Sequence, residues 1–305
     1  MLSHLKRVEI ELQNFCNRKC SWCPNREISR DYEEMPEETF LRIIRELTEG
    51  NFQYKETKTS TNYVSFNRFC EPMFNIDLLK KRLNQAIEIN PDIQYLANTN
   101  GDFLTLESLN GLHLDKLNIM DYDCKGFDYW VNKFKELMIM PVVVDKENNK
   151  LVGIHKSVGK VNCEVNWSLN AQLENRAGFL AEDVYFEKDG KKIPMEWRNN
   201  KQQRCISCIE PLYYSSIDWN GNVVLCCHYR SDIDDHKDMI LGNVNDNTLT
   251  EILNGEKATY FKELLSSDDY DNYPEGCKYC QKLRGVQVRI DQKLNKDVYL
   301  REFEK

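Results

Sequence analysis

Along the chain, stretches with the apolar period of strands alternate with stretches that have the period of helices. Val8 to Leu12 alternates apolar and acidic residues as a half-buried strand does, and a cysteine-rich loop follows it. Glu37 to Leu47, opened by Pro36 and ended by Gly50, places Phe40, Ile43, Ile44 and Leu47 on one helical face. A strand at Tyr63 to Phe66, an amphipathic helix from Ile76 to Ile89, a strand at Ile93 to Ala97 and a turn at Asn100-Gly101 come next. Leu117 to Met120 reads as a strand, Tyr129 to Met138 as a helix, and apolar stretches at Val142 to Val144 and Val161 to Val165 extend the alternation. This is the order of a parallel α/β barrel, whole or partial.

After about residue 180 the pattern changes to hairpin signals. Asp189-Gly190 joins two short runs, and Asn220-Gly221 reads as a type I′ turn between Tyr213 to Asp218 and Val223 to Cys226. The expected division is a partial (β/α) barrel over residues 1–180 and a smaller appended domain, with a β-hairpin and helices, over residues 181–305.

Composition narrows the function classes. The longest apolar run, Leu137 to Val144, is far shorter than the roughly 20 residues of a membrane span. Lys6, Arg7 and Glu9 interrupt the N-terminal segment where a secretory signal would be apolar, so a cytoplasmic protein is expected. A formal charge of −8 argues against broad binding to nucleic acid or anionic membrane, which needs clustered Lys and Arg. Twelve cysteines in a chain expected in a reducing compartment point to metal or redox chemistry rather than disulfides.

Cys16-x3-Cys20-x2-Cys23 is one loop. Three thiolates at these spacings can ligate three irons of a 4Fe-4S cubane and leave the fourth iron open to a substrate or cofactor. A zinc loop is the competing reading, although structural zinc usually takes four ligands. The loop resembles the signature of the radical S-adenosylmethionine (SAM) superfamily, in which SAM chelates the open iron and is reductively cleaved to a 5′-deoxyadenosyl radical. The resemblance implies that Trp22, just before the third cysteine, sits near the adenine. Phe69-Cys70-Glu71-Pro72 is similar to the superfamily's Gly-Gly-Glu-Pro motif without its glycines, which implies a contact from Glu71 to the SAM amino group. Asn98-Thr99-Asn100-Gly101 is similar to the turn that lies close to SAM, and Asp121 stands where a polar residue often meets the ribose. A tight turn and a solvated loop carboxylate are the plainer readings of those two segments.

The second cysteine group is Cys205-x2-Cys208, then Cys226-Cys227, then Cys277-x2-Cys280. Cys-x12-Gly-x4-Cys from Cys208 to Cys226, followed by a single Cys-x2-Cys, resembles a SPASM domain in its shortened twitch form. That resemblance implies one auxiliary 4Fe-4S cluster on Cys208, Cys226, Cys277 and Cys280; a zinc ribbon is the alternative. Cys205 and Cys227 are surplus, and Cys70, Cys124 and Cys163 read as small buried hydrophobes. His228 reads as a surface residue or one that contacts a ligand.

The chemistry implied is a SAM-dependent oxidation, assisted by the auxiliary cluster, of a small polar molecule such as a sugar or cyclitol derivative, with a flavodoxin or ferredoxin as electron donor. Glu164, Asn166 and Arg176 are the substrate-pocket candidates, the first two from the polar face of Val161 to Trp167; a solvated face on an exposed edge strand is the competing reading of that segment. Modification of a ribosomally made peptide competes within the same superfamily, and a non-enzymatic zinc-binding protein from outside it.

Overall fold

A computed structural model describes residues 2–52, 62–170, 184–195 and 207–280. Its first half follows the expected alternation. Strand β1 (Arg7–Ile10), helix α1 (Glu37–Glu49), β2 (Tyr63–Ser65), α2 (Ile76–Ile89), β3 (Gln94–Thr99), the short α3 (Leu106–Leu109), β4 (Lys116–Met120) and α4 (Gly126–Glu136) build a parallel β1-β2-β3-β4 unit covered by helices. Asn75 caps α2, its side chain accepting the Leu78 N–H at 3.0 Å.

The period-two pattern sorts side chains between two different environments. Val8, Ile10, Val64, Tyr95, Leu117 and Ile119 face the helices and share one apolar core with Phe40, Ile43, Leu83 and Trp130. The alternate positions, such as Glu9, Ser65, Asn98 and Asn118, line a polar cavity on the concave face. Glu9 is therefore only 4% exposed, whereas the sequence pattern alone suggests a solvated strand face.

After α4 the chain departs from the expected alternation. β5 (Met140–Asp145), β6 (Lys150–His155) and β7 (Gly159–Glu164) form an antiparallel meander, and β7 then pairs parallel with β4. The links between these strands are too short for a crossover, which takes about a dozen residues. Val142 to Val144 thus lies in an edge strand, exposed along most of its length, and not in a barrel strand. A short helix, α5 (Trp167–Asn170), follows β7.

Beyond residue 184, β8 (Tyr185–Lys188) and β9 (Lys191–Pro194) form a separate hairpin, turned by Asp189 and Gly190, both at positive φ. Helix α6 (Glu210–Tyr213) leads into β10 (Tyr214–Ile217), which pairs parallel with β1, so the large sheet continues across the expected domain boundary. β11 (Asn222–Val224) and β12 (Ile240–Asn243) extend it antiparallel. Helices α7 (Leu249–Asn254), α8 (Glu256–Ser266) and α9 (Glu275–Lys278) complete the described chain. The β10-β11 turn corrects the expected type I′ geometry: of Asn220 and Gly221 only Gly221, at φ 84°, has positive φ. The Asp218 N–H bonds the Asn222 carbonyl at 2.9 Å, leaving a three-residue loop with glycine at its left-handed position. Among the described residues no helix is long and apolar enough to cross a membrane.

Candidate functional site

The loop after β1 carries Cys16, Cys20 and Cys23, and all three line a cavity of about 680 Å³ enclosed by the concave face of the sheet. The loop is pinned from three sides. The Arg18 guanidinium bridges Asp102, at 2.5 and 2.6 Å, and Asp123, at 2.7 and 2.8 Å, which belong to the loops after β3 and β4. Asn17 donates to Asp102 at 2.7 Å and accepts from Asn100 at 2.8 Å, while Ser21 donates to the Tyr185 carbonyl at 2.5 Å. Arg18 and its two aspartates carry no metal-ligand spacing and were not legible as site residues.

Trp22 lies against Tyr122 and Trp167, with ring centroids 5.4 and 5.6 Å away, and those two rings are 4.9 Å apart. All three line the cavity, an aromatic surface suited to a purine. Of these only Trp22 was expected from the sequence; Tyr122 sits unremarked beside Asp121, and Trp167 beside Asn166.

Glu71 is 2% exposed and lines the same cavity. Its carboxylate accepts the Met73 N–H at 3.0 Å, the Thr99 hydroxyl at 2.6 Å and the Asn100 N–H at 2.8 Å. Glu71 and the Asn98-Thr99-Asn100-Gly101 turn, two separate sequence features, are one hydrogen-bonded unit. Asn98 also lines the cavity and accepts from Asn118 at 2.8 Å, and Asn118 in turn accepts from Asn162 at 2.9 Å.

Other expected residues lie elsewhere. Asp121 is 1% exposed and does not line the cavity: its carboxylate accepts the N–H groups of Lys125, Gly126 and Asn166, at 2.9, 3.1 and 2.9 Å. It braces a tight backbone that includes Cys124, Gly126 and Asn166, all at positive φ. Glu164, the exposed last residue of β7, and Asn166, beyond the strand's end, also lie outside the lining. Arg176 and Cys205 lie outside the described residues.

A second, narrow cavity is lined by Cys208, Cys226, Cys277 and Cys280, with Leu225 and Leu265 as apolar walls. These are the four cysteines that the SPASM resemblance implies, and all four line this one cavity. The adjacent Cys226 and Cys227 part company, since Cys227 lines the large cavity instead. The Tyr229 hydroxyl lies 3.1 Å from the Cys277 sulfur, and His228 Nδ1 lies 3.9 Å from that of Cys280.

Both thiol sets suit iron-sulfur clusters. Three thiols around a roomy cavity leave space for an organic ligand, and four around a narrow one leave little. Among the described residues no three His, Cys, Asp or Glu side chains are gathered closely enough to hold one metal ion. Burial pushes the Cys16 thiol up to about 12 in the metal-free chain; iron coordination reverses this, because a coordinating thiol is deprotonated outright.

A buried network joins the two sites. Arg68, fully buried, lines the large cavity, pairs with Asp218 at 2.7 Å and donates to the Tyr229 carbonyl at 2.5 Å. Arg30 pairs with Glu11 at 3.0 Å and donates to the Phe69 carbonyl at 2.7 Å. Arg230 donates to Asn25, just past the cysteine loop, at 2.9 Å.

Comparison with known proteins agrees with this layout. Residues 208–281 match the SPASM family, an iron-sulfur cluster-binding domain. The S-adenosyl-L-methionine-dependent 2-deoxy-scyllo-inosamine dehydrogenase of Niallia circulans is 25% identical over 277 residues, covering 90% of this chain and 91% of that protein. The crystal structure of BtrN in complex with AdoMet and 2-DOIA superposes with a TM-score of 0.64 at 23% identity, covering 92% of this chain and 94% of that one. Native anSMEcpe with bound AdoMet shares the fold at a TM-score of 0.52 and 14% identity, over 97% of this chain and 95% of that one. Residues 208–281 thus match a SPASM iron-sulfur cluster-binding domain, within a chain that is similar over 90% of its length to an S-adenosyl-L-methionine-dependent dehydrogenase.

Proposed function

We propose that this oxidoreductase converts an alcohol carbon of a small cyclitol- or sugar-like molecule to a ketone in a SAM-dependent reaction. The observation that carries the reading is the joint placement of three cysteines, the Trp22 aromatic cluster and a polar strand face around one cavity, with a second cysteine set behind Arg68. The sequence relative, a dehydrogenase, supports the reaction class.

Cys16, Cys20 and Cys23 would hold the SAM-binding 4Fe-4S cluster, and Cys208, Cys226, Cys277 and Cys280 the auxiliary one. When bound, these groups and SAM supply the radical that takes hydrogen from carbon and a nearby acceptor for the second electron. Trp22, Tyr122 and Trp167 receive the adenine, and the Glu71-Thr99-Asn100 unit fixes the backbone beside it. Asn98, Asn118 and Ser65 present hydrogen-bonding groups to substrate hydroxyls, and the Glu9 carboxylate, buried in the same lining, accepts a hydroxyl hydrogen bond. Arg18 holds the cysteine loop to the two loops that follow β3 and β4. A flavodoxin or ferredoxin is the proposed electron donor, tested by substituting each for a chemical reductant.

Protein purified without oxygen is expected to contain about eight iron and eight sulfide per chain and to form 5′-deoxyadenosine from SAM on reduction. Colourless protein with stoichiometric zinc would contradict the proposal.

A further inference from the structure

The charges in the large cavity do not balance locally. Adjacent positions in register run Glu9, Ser65, Leu96, Lys116 and Lys160 across β1, β2, β3, β4 and β7, and all five line the cavity. At one end Glu9 has Arg7 at 3.5 Å, and Arg7 also reaches Glu210 at 3.6 Å. The cations near the cysteine loop are likewise matched, Arg18 by Asp102 and Asp123 and Arg68 by Asp218. At the other end Lys116 and Lys160 sit directly opposite each other on paired strands. Among the described residues neither has a carboxylate within ion-pair distance. Glu164, two positions along β7 from Asn162, acts on Lys116 only at longer range, and Lys150 on β6 adds a third positive charge nearby.

Two like charges opposite each other on neighbouring strands repel, and here one of them, Lys116, is half-buried. Burial, then Lys160 and Lys150, hold the Lys116 ammonium below its ordinary value. An arrangement of this kind in the wall of a substrate cavity is relieved by an anion.

We infer that Lys116 and Lys160 form an anion subsite, so that the substrate is a polyol bearing a phosphate or a carboxylate. This rests on the oxidoreductase reading of the same cavity and names its substrate class. The anionic substituent lies against the two lysines at the start of β4 and β7, and the hydroxyl-bearing ring extends along Ser65, Asn98 and Asn118 toward the cysteine loop. A substrate whose charged substituent is only an amine would add a further cation to this end of the cavity.

The test is equilibrium binding of D-glucose 6-phosphate, D-glucuronate, D-glucosamine and D-glucose to cluster-loaded, SAM-bound protein without reductant. At least one of the two anionic sugars is expected to bind about tenfold or more tightly than glucosamine and glucose; the phosphate and uronate arms decide which anion is preferred. Lys116→Gln and Lys160→Gln should each remove most of that preference, and Lys116→Arg should retain it. Lys160 is exposed, so its substitution reports on charge even where Lys116→Gln disturbs folding. Binding of neither anionic sugar above glucosamine, including no binding by any of the four, or a preference unchanged in both glutamine variants, would overturn the inference. Failure to cleave SAM would remove the oxidoreductase reading and leave this binding result standing.

Discussion

The Glu71 carboxylate accepts the Thr99 hydroxyl at 2.6 Å, locking the loop after β2 to the turn after β3 at the wall of the large cavity. Burial, opposed by its hydrogen-bond donors, pushes this carboxyl up to about 7. A raised value means that the folded state favours the protonated form. The stability this confers is fully present below the ordinary carboxyl value and is lost as pH rises through about 7, an effect of roughly 3 kcal/mol at about 1.4 kcal/mol per unit. Glu71→Gln, neutral at every pH, should flatten the fall in thermal midpoint between pH 5 and 8 that wild-type protein shows. An identical pH profile in the variant would contradict the assignment.

Asp121 offers a test that separates scaffold from cofactor contact. Its carboxylate holds three backbone N–H groups, and Asp121→Ala leaves them without that partner. The expected loss is about 1–3 kcal/mol of stability, read as a lower thermal midpoint with SAM affinity reduced no more than the unfolding explains. Unchanged stability with a large loss of SAM affinity would restore a ribose contact.

Arg68 and Asp218 are a fully buried pair, both side chains at 0% exposure. Arg68→Met leaves the Asp218 carboxylate uncompensated and should cost about 3–5 kcal/mol. The double variant with Asp218→Asn should recover part of that loss in the same melting experiment. No recovery would mean that the pair does not act as a unit.

The Tyr229 hydroxyl, 3.1 Å from the Cys277 sulfur, donates to a thiolate once iron is bound. Hydrogen bonds to cluster sulfurs help set the reduction potential, and donating to one stabilises the more negative, reduced state. Tyr229→Phe should therefore shift the auxiliary cluster's midpoint to a more negative value at unchanged iron content, followed by redox titration with EPR detection. A potential that does not move would show that the contact has no electronic role.

Much of this was legible in the residues because the relevant signals are local. The periodicities of Glu37 to Leu47 and Ile76 to Ile89 place α1 and α2, and the cysteine spacings pick out both thiol sets. What stayed hidden depends on distant parts of the chain. Nothing near Arg68 announces Asp218, 150 positions away, and nothing near Arg18 announces Asp102 and Asp123. Val142 to Val144 has the composition of a buried strand, and only the short links around β6 make it the edge of a meander. The polar face of β7 was visible, but Asn166 lies past the strand's end, Glu164 is exposed, and Lys160 is the β7 residue that lines the cavity. Lys116 and Lys160 become a pair only through the parallel register of β4 and β7.

The central claim is that Cys16, Cys20 and Cys23 leave one iron of their cluster for SAM. EPR spectra of the reduced protein, recorded before and after SAM is added, test it most directly. The account predicts a changed signal in wild type and in Cys226→Ala, and no SAM-dependent change in Cys20→Ala. A wild-type spectrum indifferent to SAM, or a response that survives in Cys20→Ala, would contradict it.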